Sequence, residues 1–175
     1  LVLDGKADLA DQVPLETVEA LASRPDVRVV ARESLRVLFL ALRYNAPPFS
    51  DPRLRQAVDL ALDREELVRR VFGGRARVAS QIVPAAVIGH NPAIPVPFPD
   101  RTAARALLKE AGMAGFHVRL DGPNNRYVKD QEVLFEVARQ LAEVGITVGV
   151  RAVDKQDFFR LVDRGQSNFH LVGWG

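Results

Sequence analysis

The chain has 175 residues, 47% hydrophobic and 26% charged, an ordinary globular composition long enough for one domain with a real core. Its 24 basic and 22 acidic residues leave a formal net charge of +2, so the pI of 9.3 comes without a strong field for nucleic acid or anionic lipid. The absence of cysteine removes disulfides, thiolate chemistry and Cys-ligated metals together, and no run reaches the roughly 18 to 20 apolar residues of a membrane span.

Leu1-Val2-Leu3-Asp4 does not open as a signal peptide, with a charged segment before an apolar one. With no Met at its start, the chain reads as an internal piece of something longer. Residues 7 to 13 predict a short strand. Pro14 opens a helix over about 14 to 23, closed by Arg24-Pro25, and residues 27 to 31 alternate weakly as a strand would. Residues 35 to 42 are apolar at nearly every position, which predicts a strand buried on both sides.

After the break at Asn45-Ala46-Pro47-Pro48, Asp51 is a good N-cap with Pro52 at the first helical position. Leu54, Ala57, Val58 and Ala61 recur at helical spacing on one face. Asp63 and Glu66 have the spacing of a capping box for a second helix, with Leu67, Val68, Val71 and Phe72 inward. Gly73-Gly74 ends it. Five prolines between 75 and 99 predict an extended segment without periodicity.

Asp100 caps a third helix over 101 to 111, with Ala104, Leu107, Leu108 and Ala111 inward. A strand at 116 to 120 runs into the turn "DGPNNRYVKD". A helix from about Tyr127 to Val144 buries Leu134, Val137, Ala138 and Leu141. A strand follows at 146 to 153, then a short helix over 154 to 163 and a last strand at 169 to 172. This β-α-β-α-β order predicts an α/β fold, a mostly parallel sheet flanked by helices.

Catalytic material is scarce. His90, His117 and His170 lack metal-site spacing, and there is no Gly-x-Ser-x-Gly elbow, Walker loop or Gly-x-Gly-x-x-Gly. Most carboxylates fall on polar helix faces or at caps. No cofactor or metal is implied. The turn offers more, because ligands of open α/β sheets collect at the carboxyl ends of strands. Asn124 or Asn125 can cap a helix or face a ligand, Arg126 offers a planar fork for a carboxylate, and Tyr127 offers a ring and a hydroxyl. The structural alternative is an Asn-capped helix with Arg126 paired to Asp130 at i, i+4. Trp174, the single tryptophan, either paves a pocket or is a core residue that takes its clearance from Gly173 and Gly175.

The segment "PPFSDPRLRQAVDLALDREELV", Pro47 to Val68, resembles the signature region of family 5 extracytoplasmic solute-binding proteins. These are the peptide-, oligopeptide- and nickel-type receptors of bacterial ABC importers. "DGPNNRYVKDQEV", "LAEVGITVGV" and "FHLVGWG" match the same family in the same order, and "DGKADLADQVP" with "VRVVARESLRVLFLALRYN" fits its run into the signature. The resemblance implies a type II periplasmic-binding-protein-like lobe that closes on a ligand and hands it to a membrane permease. Residues 1 to 33 would go with the first lobe, and residues 34 to 175 would form part of the second.

The resemblance also implies a cleft position for Trp174 and a near-cleft position for Asn124, Asn125, Arg126 and Tyr127. Its partners would be a peptide or similar small solute and ABC permease subunits, in a periplasmic or extracytoplasmic setting. The surface left by a missing lobe predicts self-association. A nucleic-acid-binding alternative rests on the Ala-rich, Gly-ended "DRTAARALLKEAGM", which looks like half of a helix-turn-helix. Against it, β-forming residues follow where a recognition helix belongs.

Overall fold

The computed structural model describes residues 2–11 and 13–175, and the chain divides into two compact units, Leu1–Ser34 and Leu35–Gly175. The first unit has a 3-10 turn, Leu15–Thr17, that runs into helix α1, Val18–Ala22. The strand expected over 7 to 13 does not form among the described residues, and Gln12 lies outside them. Residues 27 to 31 are irregular too. Weak alternation alone makes no strand, because a strand needs a ladder partner for its N–H and C=O groups.

The second unit runs β1 (Val37–Leu42), α2 (Pro52–Ala61), α3 (Arg64–Phe72), α4 (Arg101–Glu110), β2 (His117–Pro123), α5 (Asp130–Ala142), β3 (Thr147–Val153), α6 (Lys155–Asp163) and β4 (Phe169–Trp174). The helix starts are written locally. Asp51 accepts from Arg53 N, Asp63 from Glu66 N, Asp100 from Ala103 N and Asp154 from Gln156 N. Each satisfies an amide that the first helical turn leaves without a partner. At α3 only half of the capping box forms. The Asp63 amide donates to Gln140 Oε1, while Glu66 reaches Arg139 and Arg101. Gly73 closes α3 in the left-handed conformation, φ 57°.

The four strands lie in the order β1-β4-β2-β3. β2 is parallel to β3 and β4, and β1 is antiparallel to β4. The sheet is thus mixed and mostly parallel, flanked by helices. Among the described residues β1 stands at the end of this strand order and its six residues are all half-buried, where the apolar run predicts burial on both sides. The apolar run is what a central strand would show, but strand order is a tertiary outcome.

The two crossovers run in opposite directions along the sheet, β2 to β3 through α5 and β3 back to β4 through α6. Right-handed connections then place α5 and α6 on opposite faces. Side-chain alternation agrees. Phe169 and Leu171 join the main core with Leu120 and with Leu134 of α5, whereas the His170 ring sits 6.0 Å from that of Phe158 on α6. Phe49 meets Phe169 edge-on, ring centroids 5.3 Å apart, and ties the segment before α2 to this core. Leu54, Ala57, Val58 and Ala61 are buried as their spacing predicts, as are Leu134, Val137 and Leu141; on α3 only Val68 is. Residues 75 to 99 hold no helix or strand.

Candidate functional site

Parallel pairing brings the carboxyl ends of β2, β3 and β4 to one edge of the sheet, and the antiparallel β1 begins there. That edge gathers the 124–129 loop, Asp154, the Gly173-Trp174-Gly175 end and Arg36. β2 runs further than its sequence suggests, through Asp121, Gly122 and Pro123. α5 in turn starts at Asp130, three residues later than expected. The difference is a loop with its own hydrogen bonds, not a helix start.

Asn124 prolongs the ladder, its amide donating to Val153 O at 2.9 Å, and its side chain is exposed. Asn125 does cap a helix, but α6 rather than α5. Its Nδ2 donates to Asp154 Oδ2 at 2.7 Å and its Oδ1 accepts from Lys155 N at 2.9 Å. The Asn125 hydrogen bond, joined by the Gln156 amide, holds the Asp154 carboxyl below the usual range.

The residue that organises the loop is Asp130, for which spacing predicts only an ion pair with Arg126. It is 3% exposed. Its Oδ2 accepts from the backbone amides of Arg126 at 2.8 Å and Tyr127 at 2.9 Å, and its Oδ1 from Gln131 N at 3.0 Å. The expected ion pair from the Arg126 side chain is replaced by this backbone clasp. Lys129, at φ 58°, turns the chain into the helix without a side-chain cap. An acidic residue at the first helical position was the available signal; the backward reach to the loop was not visible in spacing.

The clasp leaves the Arg126 side chain exposed and tucks Tyr127 in. Tyr127 is 9% exposed and donates its hydroxyl to Gly173 O at 3.4 Å. Two guanidiniums lie against its ring, Arg126 at 5.5 Å and Arg36 at 5.8 Å from the centroid. Tyr127 is therefore a post that positions arginines at the edge more than a surface for a ligand. Trp174 is 72% exposed. By strand alternation Gly173 faces the α5 side with Tyr127, so Trp174 leaves from the α6 side. The edge thus carries a cationic, Tyr-backed side and an indole side.

Behind the edge on the α6 side lies Asp121, 1% exposed, paired with Arg151 at 2.6 Å and Arg119 at 3.3 Å. Burial depresses the His170 pKa, partly opposed by the Asp121 charge. Two surface depressions, of about 500 and 360 Å³, lie at the opposite ends of the strands, around His117 and Thr147 and around Tyr44 and Ser167. Both are open sheet surface, and none of the five candidate residues lines either. The candidate residues thus share a strand-end edge and do not line a concavity of either depression.

The whole chain, residues 1–175, matches the family described as bacterial extracellular solute-binding proteins, family 5 Middle, and the protein belongs to that family. It is 33% identical over 151 residues to the glutathione-binding protein GsiB of Escherichia coli (strain K12), an alignment covering 86% of this chain and 29% of that protein. GsiB of Salmonella choleraesuis (strain SC-B67) matches to the same extent. Among solved structures, the dipeptide binding protein from Pseudoalteromonas sp. SM9913 in complex with Met-Leu superposes with a TM-score of 0.86 at 23% identity, covering 99% of this chain and 35% of that one. The periplasmic binding protein DppA from Helicobacter pylori, in complex with peptide STSA, gives 0.83 at 23% identity, over 91% and 31%. The fold is that of a type II periplasmic binding protein, and the chain spans about a third of the length of these relatives. The helix-turn-helix reading has no counterpart in the structure, since α4 is followed by strand β2. Among the described residues no helix is long and apolar enough to cross a membrane.

Proposed function

We propose that this chain is the ligand-closing segment of the substrate-binding component of a bacterial ABC importer. It takes up peptides or peptide-like solutes at the carboxyl edge of its sheet and delivers them, outside the cytoplasm, to membrane permease subunits. Residues 1 to 33 go with a first lobe and residues 34 to 175 with the second, and capture is a closure that the ligand drives by binding the closed state more tightly. The role is binding, not catalysis; the relatives named above are all binding proteins.

The observation that carries the reading is that Arg126, backed by Tyr127, and the exposed Trp174 share one edge, on its two sides, where α/β sheets receive ligands. Arg126 suits a peptide carboxylate and the indole suits a side chain or peptide plane. Asn124 is a further polar contact, and Asn125 acts by holding the loop to α6.

Titration with di- to hexapeptides and glutathione, followed by Trp174 fluorescence, tests this. A saturable change is expected, and Arg126→Ala is expected to weaken binding by about tenfold or more with the fold intact. A flat titration across all peptides, or unchanged affinity in both Arg126→Ala and Trp174→Ala, sinks the site assignment.

A further inference from the structure

The middle of the sheet holds a polar row that the candidate site does not use. β1 and β4 pair along their whole length, as do β2 and β3. Among the described residues the ladder that joins these two halves, between β2 and β4, is a single register pair, Asp121 with His170. Register partners in a parallel ladder point to the same face, here the α6 side. Arg151 stands opposite Asp121 on β3, so Arg151, Asp121 and His170 form one row across three strands. The joint of the sheet therefore passes through a buried carboxylate and an imidazole where the neighbouring positions carry apolar side chains.

The row has more donors than acceptors. Asp121, 1% exposed, already accepts from Arg151 Nε at 2.6 Å and lies 3.3 Å from Arg119 Nε. Arg151 Nη2 is buried and has no acceptor among the described residues, and His170 Nδ1 is buried without a partner too. A neutral imidazole can leave Nδ1 as a bare lone pair, but an imidazolium must carry an N–H there. Protonation thus forces a further buried donor, and a further positive charge, on a row that lacks an acceptor for the donors it has. The other groups around the ring do not supply one. On β1, Ala41 stands opposite His170, and Arg43, next on that face, donates to Gly165 O at 2.6 Å. α6 presents the Phe158 ring, 6.0 Å away. Asp163 and Tyr44 share with His170 the lining of a surface depression, and Asp157 and Arg160 are exposed and pair with each other at 3.5 Å.

We infer that His170 is an acid-sensitive latch at the joint between β2 and β4: neutral, it lets the two halves of the sheet close, and protonated, it loosens them. Burial sets the direction, since it holds the His170 pKa below the ordinary histidine value of 6.5 against the smaller opposing pull of the Asp121 charge. The ring of an opened joint takes up its proton at higher pH than the ring of a closed one. Closure is therefore full above pH 6.5 and weakens as pH falls from there towards the folded pKa. The two sides of the carboxyl edge hang on different halves. The loop with Arg126 and Tyr127 continues β2, and Trp174 ends β4. Loosening the joint frees one side to move against the other.

Amide exchange on the chain at about pH 7.5 and about pH 5, corrected for the pH dependence of the intrinsic rate, tests this. Protection of the amides that face the joint, at 120–122 and 170–172, is expected to be about fivefold lower or more at the acid pH, while the β2–β3 ladder keeps its protection. His170→Gln, which cannot titrate, is expected to abolish the difference. Equal protection at both pH values in the wild-type chain overturns the inference, and so does an undiminished acid effect in His170→Gln. The wild-type ring gives a second readout that needs no variant: its NMR titration midpoint is expected below 6.5. A midpoint above 6.5 would mean that protonation tightens the joint, and overturns the inference as well. No ligand enters these measurements, so the latch and the peptide-binding reading fail separately.

Discussion

A methyl group added at Gly173 would stand 2.8 Å from Leu38 Cδ2 and 2.8 Å from Tyr127 Cε1. Both are closer than real carbon contacts allow, so the Leu38 side chain, the Tyr127 ring or the strand itself must shift. Gly173→Ala is expected to cost about 1–3 kcal/mol, read by urea unfolding, and to displace Arg126 from its position over the ring. Gly149→Ala is the control, since a methyl group there meets nothing within 4 Å. Equal effects from the two variants would contradict the close-packing account. In the sequence, the glycines beside Trp174 suggested clearance for the indole. The structure gives the clearance at Gly173 to Tyr127 and Leu38 instead. Alternation turns successive strand residues to opposite faces, and only the fold shows what waits on each face.

At the scale of elements, the loop from Asn124 to Lys129 is held by one carboxylate on α5 and one amide that grips α6. Asp130→Ala leaves the Arg126 and Tyr127 amides without their acceptor, one of them on a residue that is 9% exposed. A loss of about 1–3 kcal/mol is expected, with partial recovery in Asp130→Asn, which keeps one acceptor oxygen. Thermal or urea unfolding checks the size; the same loss in Asp130→Asn as in Asp130→Ala would remove the hydrogen-bond explanation. Helix starts at Asp51, Asp63, Asp100 and Asp154 were legible because a cap is settled within about four residues. The start of α5 was not, because a left-handed Lys129 and a backward-reaching Asp130 replace the Asn cap that composition favoured.

Across the whole second unit, an ionic lattice locks the helices on the α5 face. Glu136, 7% exposed, accepts from Arg139, Gln140 and Arg70. Arg139 also reaches Glu66 on α3 and pairs with Glu143, and Arg101 of α4 joins Glu66 and Glu143. Gln140 closes the lattice by bonding both the amide and the carbonyl of Asp63. Burial alone would raise the Glu136 pKa. The hydrogen bonds from Arg139 and Gln140, with the Arg139 charge and the Arg70 bond, outweigh it and bring the pKa from 4.5 to about 2. A carboxyl whose folded pKa is depressed contributes stability that is full above its unfolded pKa and is lost as pH falls through the folded one. The contribution, on the order of 3 kcal/mol, should therefore disappear between about pH 4.5 and pH 2. Glu136→Gln is expected to be less stable at neutral pH and to show a shallower acid limb in urea unfolding over that window. An unchanged limb would mean that the lattice carries no net stability.

Composition, caps, helical spacing and the β-α-β-α-β order were enough to determine the α/β class, most element positions and, through the ordered motifs, the family. Those features are local, or repeat at the period of a single element, so a linear reading reaches them. The tertiary structure alone decided that residues 27 to 31 form no strand, that β1 pairs antiparallel with β4, and that Asn125 serves α6. It also decided that Tyr127 is a buried post while Trp174 stands on the opposite side of the sheet. Each of these depends on which strand lies beside which and on the hand of the crossovers, and hydrogen-bond partners far apart in sequence leave no period to read.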